Sequence, residues 1–207
     1  MNPAAPTLGF YASVAGFLAI VGYGVAQSLQ VLGYTDYPLA DILIYVTSLC
    51  ITVPFLLALL ALHETADVRE RLWTRGALLF GVIYVCYAAL MYTVQLSVVI
   101  PQSLDRPPAG VLAVSPQSLF WDIDALAYIS MGIATAFAAF ALPRDGVGRW
   151  AHRLLLANGL ITPIIAFVYF YPHFSTVVLL IGSPWLITAP GSMLALAYYF
   201  NARAGAA

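Results

Sequence analysis

The sequence predicts an all-α fold: a polytopic membrane protein built as a single six-transmembrane-helix bundle over residues 1–207, with both termini cytoplasmic. Three observations predict it. The chain is 62% hydrophobic and 8% charged, with a mean hydropathy of +0.91. A soluble domain is about 25% charged, so there is too little ionic surface here to coat a water-soluble globule. Six segments are long and apolar enough to cross a bilayer, which takes about 20 residues. The arginines fall almost wholly on one side of that arrangement.

The expected spans are 9–33, 39–63, 76–101, 116–143, 150–171 and 177–200. The first is read as a retained span, because it lacks a basic leader and its apolar run is long for a signal peptide. Arg69, Arg71, Arg75, Arg144, Arg149, Arg153 and Arg203 share the side of both termini, and Arg106 alone lies opposite. Seven against one is a strong positive-inside bias. Loops 34–38, 102–115 and 172–176 are therefore expected to face outward. A multi-pass protein of a bacterial-type plasma or inner membrane is the expected location, with the lipid bilayer as its first partner.

The loop 63–75 carries Thr65 as a cap and an Asp67/Arg71 pair at i,i+4, and reads as a solvated helical turn. The outer loop 102–115 is longer, with an apolar stretch at 109–114 that suits a lid. Three Thr-then-Pro signals, at 51–54, 161–163 and 187–190, mark expected kinks, with Thr available for the carbonyl that Pro leaves free. If they mark an internal repeat, the two three-span halves lie in inverted topology.

Composition also excludes chemistry. All eight basic residues are Arg, so Schiff-base cofactors and a P-loop are ruled out. His63, His152 and His173 are widely separated, which argues against a haem bundle or a metal cage. No metal and no cofactor is expected. A net charge of −1 implies no nucleic acid or other polyanionic partner. Cys50 and Cys86 fall inside apolar stretches and read as buried small hydrophobes.

Residues three or four apart share a helix face. Each span shows one polar or aromatic stripe, including Tyr23, Gln27 and Gln30 in the first and Asp41, Tyr45, Ser48 and Thr52 in the second. The third shows Tyr84, Met91, Gln95 and Gln102, and the fourth Gln117, Trp121, Asp124, Tyr128, Met131 and Thr135. Asn158, Thr162, Tyr169 and His173 follow in the fifth, and Trp185, Thr188, Ser192 and Tyr199 in the sixth. Lipid satisfies none of these groups, so the stripes should point into the bundle. For Ser48, Thr52, Thr135, Thr188 and Ser192 the preferred reading is interhelical glue.

The outer third is richer. Gln27, Gln95 and Asp124 lie about 9 Å inside the outer boundary at the helical rise, and Asp41, Trp121, Asp122, Tyr128, Tyr169 and Trp185 lie within about 5 Å of that layer. Carboxylates, amides and aromatics thus crowd one level, which describes a cup open to the outside. Asp124 is the residue to single out. A carboxylate at that depth must be paired, hydrogen-bonded or protonated, and the spans offer no cation. Asp122, about 200° away around the helix, falls on another face, near the expected helix start.

The catalytic candidates are Asp124, Asp122 and Asp41; the substrate-binding candidates are Gln27, Gln95, Trp121, Tyr128, Tyr169, His173 and Trp185. Carboxylates and aromatics without a metal form an inventory similar to that of small integral-membrane terpene cyclases, as an analogy of parts. The expected function is binding, or acid–base isomerisation, cyclisation or hydrolysis, of a hydrophobic lipid- or isoprenoid-like or cationic small molecule. Two alternatives stand beside it: a solute-capture component, as in six-span vitamin-binding subunits of importers, and a structural partner without ligand. Small-residue pairs Ala12/Gly16, Ala15/Ala19 and Gly24/Ser28 suit close helix contact, within the chain or in a homo-oligomer.

The arginine distribution generates a direct test. Single cysteines placed at Arg71 and at Arg106 should react with an impermeant maleimide from opposite sides of an intact membrane. Labelling from one side only would remove the six-span arrangement.

Overall fold

Long runs almost free of charge must satisfy their backbone groups without water, and a helix does so within one segment. The computed structural model describes residues 4–104, 108 and 110–205, and among these it contains helices and no strand. In chain order they are α1 (Ala4–Val31), α2 (Leu39–Thr65), α3 (Arg71–Val94), α4 (Leu119–Phe140), α5 (Gly148–Leu160), α6 (Thr162–Phe170), α7 (Thr176–Ile181) and α8 (Trp185–Ala204). A 3-10 turn, Val68–Glu70, leads into α3, and a π-helical turn, Gln95–Val99, extends it. Counting α5 with α6 and α7 with α8, six stretches are long and apolar enough to cross a membrane, which suggests a multi-pass membrane protein.

The helix ends depart from the expected spans where local chemistry intervenes. α4 begins at Leu119 rather than 116, because Gln117 adopts φ 64 and Ser118 then caps the helix by accepting from the Trp121 amide. Pro54 and Pro190 lie inside continuous helices. Near them, Thr52 donates to the Leu49 carbonyl at 2.7 Å and Ser192 to the Thr188 carbonyl at 2.6 Å, so these hydroxyls serve their own helices rather than gluing neighbours. Pro163 instead opens α6 after a break at Ile161. The sixth stretch breaks at 182–184, ahead of Pro184 and before the expected Thr188 site. Thr65 does not cap a loop helix; it closes α2 by donating back to Ala61 and Leu62. Arg106 and Ala109 lie outside the described residues.

Packing runs from α1 to α2, α3, α4, α5 and α8 and back to α1, so the helices close into a ring. α6 continues along α4, and α7 packs on α6. At the end that carries both termini the ring is filled: Ala58, Leu62, Ala134, Ala138, Leu155 and Leu196 are fully buried. Small residues let the helices approach. A Cβ at Gly9 would come within 2.7 Å of the Phe200 ring, and one at Gly16 within 2.5 Å of Met193, so α1 uses its small face against α8 inside the chain. Asn158 donates to Thr135 at 3.2 Å and accepts from Thr188 at 3.0 Å, tying α5 to α4 and α8. The outer surface is apolar, with Leu18, Val53, Leu79, Ile187 and Leu194 exposed. Cys50 and Cys86, expected inside, are also exposed there as free thiols.

Gly159 supplies the tightest backbone approach between α4 and α5, since a Cβ there would lie 3.0 Å from the Ala136 Cα and 3.1 Å from its nitrogen. Gly159→Ala should therefore push the two helices apart and cost about 1–3 kcal/mol, seen as a lowered Tm of the purified protein. Gly191→Ala, facing only the flexible Leu154 side chain at 3.4 Å, should melt as the parent does.

Candidate functional site

The end of the ring remote from the termini is hollow. The sixth stretch is broken there at 182–184, and a cavity of about 520 Å³ opens between α1, α2, α3, α4, α6, α7 and the start of α8. That volume suits a small organic molecule. The wall is aromatic. Tyr23, Tyr45, Tyr92, Trp121, Tyr128, Tyr169, Phe174 and Trp185 all reach it. They brace one another: Tyr23 and Tyr128 meet Trp185 edge-on at 5.5 and 5.3 Å, Tyr45 stacks on Tyr92 at 5.9 Å, and Trp121 leans on Tyr169 at 4.7 Å.

Asp124 lies at the centre of this wall, 8% exposed, on the second turn of α4. The Tyr92 hydroxyl donates to its Oδ1 at 2.8 Å and the Tyr169 hydroxyl to its Oδ2 at 2.6 Å. Tyr92 also approaches the Tyr128 hydroxyl at 3.3 Å. Hydrogen bonds to a charged group contribute about 1.5–3 kcal/mol each, comparable to the cost of placing one carboxylate at such depth. A carboxylate has about four acceptor positions, so these two bonds leave two unused on a residue that lines the cavity. Tyr169 is aimed by its own surroundings. It sits in the last turn of α6, where carbonyls lack helical partners, and Trp121 donates its indole N–H to the Tyr169 carbonyl at 2.8 Å.

A second carboxylate stands at the ends of α1 and α2. Tyr23 donates to Gln27 at 3.3 Å, Gln27 to Gln30 at 2.9 Å, and Gln30 to Asp41 at 3.1 Å. All four line the cavity, so this relay runs from the aromatic wall to Asp41.

Of the expected site residues, the structure brings Asp124, Asp41, Gln27, Trp121, Tyr128, Tyr169 and Trp185 to one cavity. It does not bring Asp122, Gln95 or His173 there. Asp122 is exposed in the first turn of α4, and His173 is exposed beside Tyr171. Gln95 is 1% exposed and holds the 110–114 segment instead, donating to the Leu112 carbonyl at 2.7 Å. Two residues on, Val114 contributes to the cavity wall. Tyr92 falls outside the stripe read in the third span, yet it bonds Asp124 directly. Tyr92 and Gln95 are three residues apart where the regular helix meets the π-helical turn, and that face meets the cavity at Met91 and Tyr92 and the 110–114 segment at Gln95. The signal available in the sequence was the recurrence of Tyr at one depth, at positions 23, 45, 92, 128 and 169.

Among the described residues, every lining residue is neutral or acidic. Among the described residues no group of His, Cys, Asp and Glu is arranged to hold a metal ion. A second, shallower hollow of about 360 Å³ lies on the outside of the ring, lined by Trp73, Phe137, Phe140 and Pro163 and almost wholly apolar. Compared with known proteins, the chain matches no family model, no curated protein and no solved structure.

Gln95→Ala should leave the Leu112 carbonyl without its buried donor, at a cost of about 1–3 kcal/mol. The expected outcome is faster amide hydrogen exchange across 110–114, with exchange at Asp124 and its helix unchanged. Equal exchange in both proteins would show that Gln95 does not anchor the segment.

Proposed function

We infer that this is a multi-pass membrane protein, of bacterial inner-membrane type with both termini cytoplasmic, whose outward cavity binds a hydrophobic small molecule bearing a basic or cationic centre. One observation carries the reading. Asp124 is buried among aromatic rings, both oxygens are held by phenols that only donate to it, and among the described residues no cationic side chain lines the same cavity. A site with one negative group, open acceptor positions and electron-rich ring faces selects a positive centre, by charge and by cation–π attraction. Trp121, Tyr128, Tyr169 and Trp185 supply the faces; Ile44, Ile165, Val168 and Leu186 supply apolar contact for the remainder of the ligand.

The same arrangement suits proton transfer. A ligand amine that shares its proton with Asp124 is the binding form of the reaction. A carboxyl that gives a proton to a double bond, with ring faces beside the developing cation, is the catalytic form. Tyr92 and Tyr169, bonded to both oxygens, favour fixed orientation of the carboxyl in either case.

Asp124→Asn tests the reading. Asn keeps the volume and one acceptor, and the second phenol can reorient to accept, so Tm should stay near that of the parent. Hydrophobic amines co-purified with the protein in native-lipid nanodiscs, extracted and quantified by mass spectrometry, should fall about tenfold or more, the equivalent of one charge-assisted hydrogen bond. Asp122→Asn, on an exposed face, should retain them. An undiminished amine content in Asp124→Asn, or a larger loss in Asp122→Asn, would contradict the assignment.

A further inference from the structure

We propose that the ligand is an amphiphile with an ammonium head and an apolar tail, and that it enters sideways between the end of α1 and α7, with its head passing to Asp124 and its tail left in the surrounding bilayer. This rests on the reading of the cavity as a cation site and adds the route and the second half of the ligand.

The distribution of exposure around the cavity points to this. Six lining residues are exposed: Ser28, Val31 and Leu32 at the end of α1, and Phe174, Leu180 and Ser183 around α7. The opposite wall is closed, with Ile44, Tyr45, Met91, Tyr92, Asp124 and Tyr128 all buried. The opening therefore has one direction, set by one seam of the ring. The chain explains why the seam is there. α1 packs along α2 and α8, but the sixth stretch is interrupted at 182–184, and its detached first piece, α7, packs on α6. That interruption leaves a gap in the ring beside the last turns of α1. Gly182, which lines the cavity, adds no side chain to fill it.

The chemistry of the rim decides what passes. Leu32 is 68% exposed and Leu180 54% exposed, with Val31 and Phe174 beside them, and the two polar members are small serines. A mouth for a water-soluble ion would not be edged by Val, Leu and Phe at its most exposed positions. A rim of this kind accommodates a chain of methylenes. Its depth agrees: Ser28 lies about 5 Å inside the end of α1 at the helical rise, which is the level where a lipid's head meets its chains. Inside, the charge changes character. Asp41, held by Gln30 near the rim, and Asp124 beyond it are two negative stations in the same cavity, with ring faces of Tyr23, Tyr128 and Trp185 between α1 and α8. A neutral head would add no counter-charge to either carboxylate; an ammonium head supplies one to each in turn.

The test uses full-length protein in nanodiscs and the alkyltrimethylammonium ions as probes, from tetramethylammonium to dodecyltrimethylammonium. Trp73→Phe with Trp150→Phe leaves Trp121 and Trp185, both in the cavity wall, as the fluorescent reporters. Partitioning into lipid is subtracted with empty nanodiscs and with Asp124→Asn protein. The dodecyl ion should bind at least tenfold more tightly than tetramethylammonium. Ser28→Phe and Ser183→Phe, which narrow the seam from its two sides, should each slow association of the dodecyl ion at least tenfold. Equal affinity along the series overturns the tail and the lateral route while the cation site stands. A series whose affinities rise with chain length but whose rates ignore both seam substitutions overturns the route. If no probe distinguishes the parent from Asp124→Asn, the cation site itself fails. Should both seam variants prove unstable on melting, the affinity series on the unmodified seam still decides whether a tail is recognised.

Discussion

A carboxylate placed inside an apolar ring of helices is the constraint on which the cavity depends. Among the described residues no side-chain cation neutralises Asp124; two tyrosine hydroxyls from other helices hold its oxygens instead. Each of those phenols must arrive from a fixed direction, which fixes the end of α3 and the end of α6 relative to α4. The second requirement is room. Two of the carboxylate's acceptor positions stay open only if no side chain fills the space in front of them, and the aromatic rings that surround it prop the space by touching edge to face rather than by closing over it.

The two ends of the ring are built by opposite means. Where the termini lie, alanines and glycines bring helices into close contact, the kind of van der Waals packing that associates apolar helices. At the other end, helix continuity is given up at 182–184. Non-helical backbone at such a depth is tolerated where it lines a cavity or is buried in protein. Gly182 and Ser183 of that interruption line the cavity, and Trp185, the first residue of α8, follows them in the wall.

Much of this is legible from residue order because it follows from periodicity and cost. Six apolar stretches are readable by length alone, and Asp124 is readable because a carboxylate in that position is expensive wherever it points. Direction is harder. Asp122 and Asp124 are two residues apart, and the angular argument separated them, with Asp122 on the exposed face. Gln95 and Tyr92 could not be separated that way, because they lie three residues apart on one helix face and the angle alone does not say which of them reaches the cavity. His173 and the break before Pro184 depended on loop conformation, where spacing carries little information. The Thr–Pro signals did not show which prolines interrupt a helix, and the hydroxyls beside them bond other carbonyls than the ones Pro frees, Thr52 that of Leu49 and Thr188 that of Pro184.

The distance between a bound cation and Asp124 is the most direct measurement of the central claim. Magic-angle-spinning NMR of the protein in lipid, with 15N-labelled dodecyltrimethylammonium and 13Cγ-labelled aspartate, reads it by dipolar dephasing. The nitrogen should lie about 4–6 Å from one aspartate carbon, the separation over which opposite charges recognise each other. That signal should vanish in Asp124→Asn and persist in Asp122→Asn. Dephasing that survives Asp124→Asn, or that is lost only with Asp122→Asn, would place the cation elsewhere and contradict the claim.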